Sequence, residues 1–132
     1  MIAVDTNVVV RLLVQDDPKQ TTAARALFAA GPIWIAKTIL LETAWVLRSF
    51  YRFDESAIRD AFTRLLGLQN VHTEDKASMA TALALSAHGV ELADAMHLTS
   101  RPPGAVFVSF DRSFVRGANR AGATGVSGVD GG

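Results

Sequence analysis

Four carboxylates stand out in this 132-residue chain because of the residues around them. Asp5 follows the apolar run of residues 1–4 and precedes a second one at residues 8–10. Glu42 lies in "ILLETAWVL", Asp94 in "ELADAMHL", and Asp111 directly after "AVFVSF". A lone charge is costly to bury unless something pairs with it. Singly, each has an ordinary structural reading: Asp5 and Asp111 as caps or turn residues, Glu42 as the partner of Arg48 or Lys37, Asp94 as that of Arg101 or His97. As a set, four isolated acids at buried-looking positions suggest one shared acidic pocket, which repels itself unless a cation sits in it. Hard divalent ions choose oxygen ligands, and Mg²⁺ keeps several waters beside one or two carboxylates. Such an ion activates water and steadies charge developing on a phosphate.

The elements that must position these acids alternate between strand and helix. Residues 2–4 read as a buried strand ending at Asp5. "QDDPKQTTAARALFAAG" is a punctuated helix: Asp16 or Asp17 caps it, Pro18 sits in its first turn and Gly31 stops it. Ala23, Ala24, Leu27 and Phe28 form its buried stripe. Residues 33–36 read as a strand or an extended lead-in, and Thr38 can cap the helix "ILLETAWVLRSFY". Asp54 opens a helix with Ala57, Ile58, Ala61, Phe62, Leu65 and Leu66 at helical spacing. "NVHT" reads as a short strand. Residues 74–86 are an alanine-rich helix closed by Gly89, and "VELADAMHLTS" is another. Residues 105–110 are the clearest strand. The tail from Gly117 is glycine-rich and reads as loose after a final short strand or turn. The alternation predicts an α/β domain with a mainly parallel sheet. In such sheets, sites form beyond the carboxyl ends of strands, where both Asp5 and Asp111 stand.

Composition sets bounds. Hydrophobic residues make up 49% and charged residues 20%, which describes a globular chain of a size for one domain. There is no cysteine, so disulfides, thiolate zinc sites and cysteine nucleophiles are excluded, and a cytoplasmic location fits. No signal peptide or membrane-spanning helix is expected. Thirteen basic residues balance thirteen acidic ones, so any nucleic-acid binding must come from a local patch. Arg11, Arg112 and Arg116, near the acids in sequence, are candidates to meet phosphates, or else ordinary surface residues. Trp34 and Trp45 read as core or dimer contacts. The apolar stretch Trp45, Val46, Leu47 and Phe50, near Tyr51, suggests self-association. The three histidines share no metal-ligand spacing.

The blocks "VDTNVVVRLLVQDDPKQ", "LLETAWVLR", "ELADAMHL" and "VFVSFDRSF" resemble, in order, the motifs of PIN-domain proteins, most of all the VapC-type ribonuclease toxins of toxin–antitoxin pairs. The resemblance runs from Met1 to about Phe114. It implies a PIN-like three-layer α/β/α sandwich with a mainly parallel central sheet, residues 1–132 forming a single PIN domain with a glycine-rich strand or tail over about 117–132. It also implies Mg²⁺- or Mn²⁺-dependent cleavage of RNA phosphodiesters, a homodimer and a VapB-like antitoxin partner. The family's acids fall on Asp5, Glu42, Asp94 and Asp111, with Asp5, Asp94 and Asp111 as candidate metal ligands and Glu42 as a holder of a metal water. Its hydroxyl and amide helpers fall on Thr6, Asn7 and Ser109, the last standing where threonine is more usual. A haloacid-dehalogenase-type phosphatase would need an acid where Asn7 stands. A receiver-like domain would need an acidic neighbour for Asp5 and a late lysine. A non-catalytic PIN-fold interaction module is the remaining alternative.

Overall fold

The computed structural model describes residues 1–131. The chain gathers into two compact units, Met1–Lys76 and a second from Ala77 onward. Every strand pairing within them is parallel. The fold class is therefore the expected α/β type, with its strands in two parallel ladders.

In the first unit, β1 (Ile2–Ala3), β2 (Ile33–Trp34) and β3 (Val71–His72) form a sheet in that order, with Ile2 beside Ile33 and Ile33 beside Val71. The strands are shorter than the apolar runs that announce them. Between them run α1 (Thr6–Val14), α2 (Pro18–Ala30), α3 (Lys37–Ser49) and α4 (Glu55–Leu66). The apolar run at residues 8–10 thus belongs to a helix, α1, which buries Val9 and Val10. α2 starts and stops where its punctuation predicts. Asp17 is its cap, accepting from the Gln20 N–H at 3.0 Å, Pro18 opens it and Gly31 ends it. Its buried side is Thr21, Ala24 and Phe28, while Leu27 is half-buried and Ala23 exposed.

α3 corrects the cap expected at Thr38. Its N-cap is Ala36, with no side-chain cap bond of its own. The first helical N–H, on Lys37, donates instead to Glu74 Oε1 at 2.8 Å. A second long-range tie closes α2: the Asn70 amide donates to the carbonyls of Phe28 at 2.6 Å and Gly31 at 2.9 Å. A carbonyl at a helix C-terminus lacks an intrahelical donor, and Asn70 supplies one. The core of this unit includes Ile33, Ile35, Leu40, Leu47, Ile58, Phe62 and Val71, each at most 1% exposed.

The second unit holds α5 (Lys76–Ala87) from its second residue on, α6 (Leu92–Thr99), β4 (Phe107–Ser109), α7 (Arg112–Arg120) and β5 (Val126–Gly128). β4 and β5 pair in parallel, Phe107 beside Val126. The tail is more ordered than its glycines suggest. Gly117 lies inside α7, which buried Val115 and Ala118 anchor, and residues 126–128 are paired strand. Gly125, at φ +66°, turns the chain into β5. Arg101 secures that turn by donating to the carbonyls of Gly125 and Thr124 at 2.7 and 2.6 Å. An added Cβ at Gly125 would meet that guanidinium at 3.3 Å.

Candidate active site

One local device presents an acid in each unit. β1 runs out through Val4, whose N–H donates to the Trp34 carbonyl at 3.1 Å, and the next residue, Asp5, is the N-cap of α1. β4 ends at Ser109, and two residues on Asp111 is the N-cap of α7. The two carboxylates do cap, as their structural reading holds. Asp5 Oδ1 accepts from the Thr6 N–H at 2.8 Å, and Asp111 Oδ1 from the Phe114 N–H at 3.0 Å. Each bond uses one oxygen. Among the described residues the second oxygen of each accepts no hydrogen bond, which leaves it open to a cation. Capping and metal binding are therefore compatible in a single carboxylate.

Glu42 joins Asp5 through Thr6. The buried Thr6 hydroxyl donates to Glu42 Oε1 while the Thr6 N–H holds Asp5. The two acids, Thr6 and Asn7 line one cleft of about 350 Å³ with Val10, Arg11, Val46, Phe50 and Tyr51. Asp94 and Asp111 line another, of about 240 Å³, with Gly89, Val90, Glu91, Ser113, Phe114 and Gly117. Ser109 fixes the approach to Asp111, its hydroxyl accepting from the Asp111 N–H at 3.0 Å.

One expectation needs correction here. The acids are not buried: Asp5, Glu42 and Asp111 are exposed and Asp94 is half-buried. In α3 the buried stripe is Leu40, Thr43, Ala44 and Leu47, and Glu42 stands off it despite its apolar neighbours. Within the first unit Asp5 and Glu42 form a pair on one cleft, and within the second Asp94 and Asp111 form a pair on another. A pair still suits a hard cation, because Mg²⁺ takes one or two carboxylates and fills its remaining positions with water. Asp5, Glu42, Thr6 and Asn7 all offer oxygen to this cleft, which is the chemistry such an ion selects, and Arg11 on its lining is turned to Asp16.

Arg11 is committed to protein partners. It donates to Asp16 at 2.7 Å, Gln20 at 2.6 Å and the Tyr51 hydroxyl at 3.2 Å. The Asp16 hydrogen bond, with help from Tyr51, raises the guanidinium pKa above its ordinary value. Desolvation draws the Asp16 carboxyl upward, but hydrogen bonds from Arg11 and Tyr51 outweigh it and hold that group below the usual carboxylate range. Tyr51, which donates its own hydroxyl proton to Asp16 at 3.1 Å, thus closes a clamp at the rim of the cleft. Neither Tyr51 nor Phe50 is marked for this cleft by local spacing, since the Arg11–Tyr51 bond spans 40 positions. Arg112 lies 3.6 Å from Asp130 with both side chains well exposed, a weak pair. Arg116 is exposed. Trp45 is 63% exposed, which excludes it from the core, and Trp34 is half-buried. Of the stretch expected to self-associate, Leu47 is wholly buried. Among the described residues no helix is long and apolar enough to cross a membrane.

Parallel strands handing acids to helix N-termini agree with the result of comparing the chain with protein families. The PIN domain model matches residues 2–119, and the chain belongs to the PIN domain family. PIN domains are generally nucleases that act on RNA or other nucleic acid and typically use divalent metal ions. No curated protein and no solved structure matches the chain.

Proposed function

We propose that this PIN domain is a Mg²⁺- or Mn²⁺-dependent endoribonuclease of the VapC toxin type, acting in the cytoplasm and restrained by a VapB-like antitoxin. The observation that supports this most is the Asp5–Thr6–Glu42 arrangement. Two carboxylates are held by one threonine in a single cleft, each with an oxygen still open. Asp5 and Glu42 would hold the metal in the first unit, and Asp94 and Asp111 are the metal-holding acids of the second. The metal, when bound, supplies a polarised water and charge stabilisation for the phosphodiester. Thr6 orients both acids of its cleft, Ser109 holds the turn that presents Asp111, and Asn7 offers an amide at the cleft edge. Glu42, with Oε2 open, is placed to accept a proton from water. Arg112 and Arg116 are the candidate phosphate contacts, since Arg11 is already clamped. A homodimer is part of the proposal, with Trp45 as its exposed anchor.

The test is cleavage of RNA by purified, antitoxin-free protein with Mg²⁺, Mn²⁺ or chelator, beside Asp5→Asn and Asp94→Asn. Metal-dependent cleavage by wild type and its loss in both variants is the expected result. Cleavage that persists in chelator, or in both variants, would overturn the reading.

A further inference from the structure

The cleft that holds Asp5 and Glu42 has a second, chemically different wall. Val10, Val46, Phe50 and Tyr51 line it, and Phe50 is 76% exposed. Phe50 stands at the C-cap of α3, where its N–H donates to the Val46 carbonyl at 2.9 Å. Tyr51 follows, and its ring meets the Phe50 ring edge-to-face at 5.2 Å and 64°. The Tyr51 hydroxyl is in turn fastened by Asp16 and Arg11. An exposed aromatic ring is thus braced beside two carboxylates, where folding alone gives it nothing to cover.

What fits is set by both walls together. An apolar peptide side chain would satisfy the aromatic wall but leave two carboxylates desolvated and unpaired, which is costly. A nucleotide presents a flat ring to the aromatic wall and a phosphate, neutralised by a cation, to the acidic one. Unpaired bases stack on aromatic side chains without regard to sequence, because every base has a π face. A cleft of about 350 Å³ is within the range of small-ligand sites. Resting on the ribonuclease reading, we infer that Phe50, braced by Tyr51, is the stacking platform for an unpaired base adjoining the phosphate handled at Asp5 and Glu42. Phe50 is a positioning residue: it touches the base, not the reacting atoms.

The experiment uses the full chain and a short single-stranded oligoadenylate carrying 2-aminopurine, with calcium in place of magnesium to hold cleavage back. Binding is read by anisotropy and stacking by quenching of the 2-aminopurine. Phe50→Ala should raise the Kd about tenfold, the loss expected for one stacked base, and abolish the quenching. Phe50→Trp should restore both, and Phe50→Leu, apolar but without a π face, should restore neither. Duplex RNA should bind all four proteins alike. Unchanged affinity and quenching in Phe50→Ala would refute the inference, as would full rescue by leucine. If light scattering shows instead that Phe50→Ala splits a dimer while each protomer still quenches, the face belongs to a second copy and the inference falls. If wild type cleaves RNA with metal but gives no quenching, the inference fails while the ribonuclease reading stands. If it neither cleaves nor binds, both fail.

Discussion

Asp5 has two jobs that different substitutions can separate. As a cap it contributes one bond, from Oδ1 to the Thr6 N–H. The favourable cap partner is an N–H one or two residues further into the helix, as at Asp111, which reaches Phe114. The Asp5 cap is therefore a weak one, and Asp5→Ala should cost about 0.5 kcal/mol, the low end for cap removal. For a chain of this size that is a fall in Tm of about 2 °C. Asparagine caps as well as aspartate, so metal-free Asp5→Asn should melt within about 1 °C of wild type, or slightly higher as repulsion from Glu42 is relieved. The metal changes the order. At a Mn²⁺ concentration a hundredfold above its Kd, wild type should gain about 2.7 kcal/mol, or about 11 °C. Both variants should lose most of that gain, and Asp5→Asn should lose RNA cleavage with it. Thermal melts with and without Mn²⁺, on the preparations used for the cleavage assay, read all of this. An asparagine variant that keeps the Mn²⁺ shift and full cleavage would show that Asp5 only caps.

Two other expectations concern charge and assembly. The Ala57 N–H and then the Ser56 hydroxyl hold the Asp54 carboxyl below its ordinary value of 3.8. A depressed folded-state value gives stability that is complete above the unfolded value and is lost as pH falls through the folded one. The Tm gap between wild type and Asp54→Asn should accordingly be widest above about pH 4 and narrow below it. A gap that is constant with pH in melts from pH 2 to 7 would contradict this. Trp45→Glu should convert a homodimer to monomer by light scattering without unfolding it, because Trp45 is 63% exposed and lies off the buried stripe of α3. A dimer that survives the change locates the interface elsewhere.

Local punctuation was the most legible part of the sequence. Asp17, Pro18 and Gly31 bound α2 because capping, proline at the first turn and a helix stop are decided within a few residues. Ile58, Phe62, Leu65 and Leu66 gave α4 for the same reason. α1 was harder, because its apolar residues directly follow a strand of the same composition and Asp5 alone marks the change. The types and order of the acids were readable, but their exposure was not. Apolar neighbours in sequence do not show which face of a helix turns inward, and Glu42 sits between buried Leu40 and Thr43 while itself facing out. Least legible were the roles of Arg11, Tyr51 and Phe50. Arg11 looked available for phosphate, yet it meets Asp16, five positions on, and Tyr51, 40 positions on. No local pattern encodes such a clamp, and only the packing of α1, α2 and α3 makes it.

The ties that Asn70 and Glu74 make to the ends of α2 and α3 bear on the order in which the first unit is assembled. They span 42, 39 and 37 positions, so each closes a long loop. Loop closure has an entropic cost that falls before the bond can repay it. The end of α2 and the start of α3 are therefore expected to stay frayed until the chain around β3 docks, which pulse-labelled amide exchange during refolding would read as late protection at those two ends. That segment is the fastener of the first unit. During synthesis, those two helix ends would gain their partners only once residues 70–74 had been made.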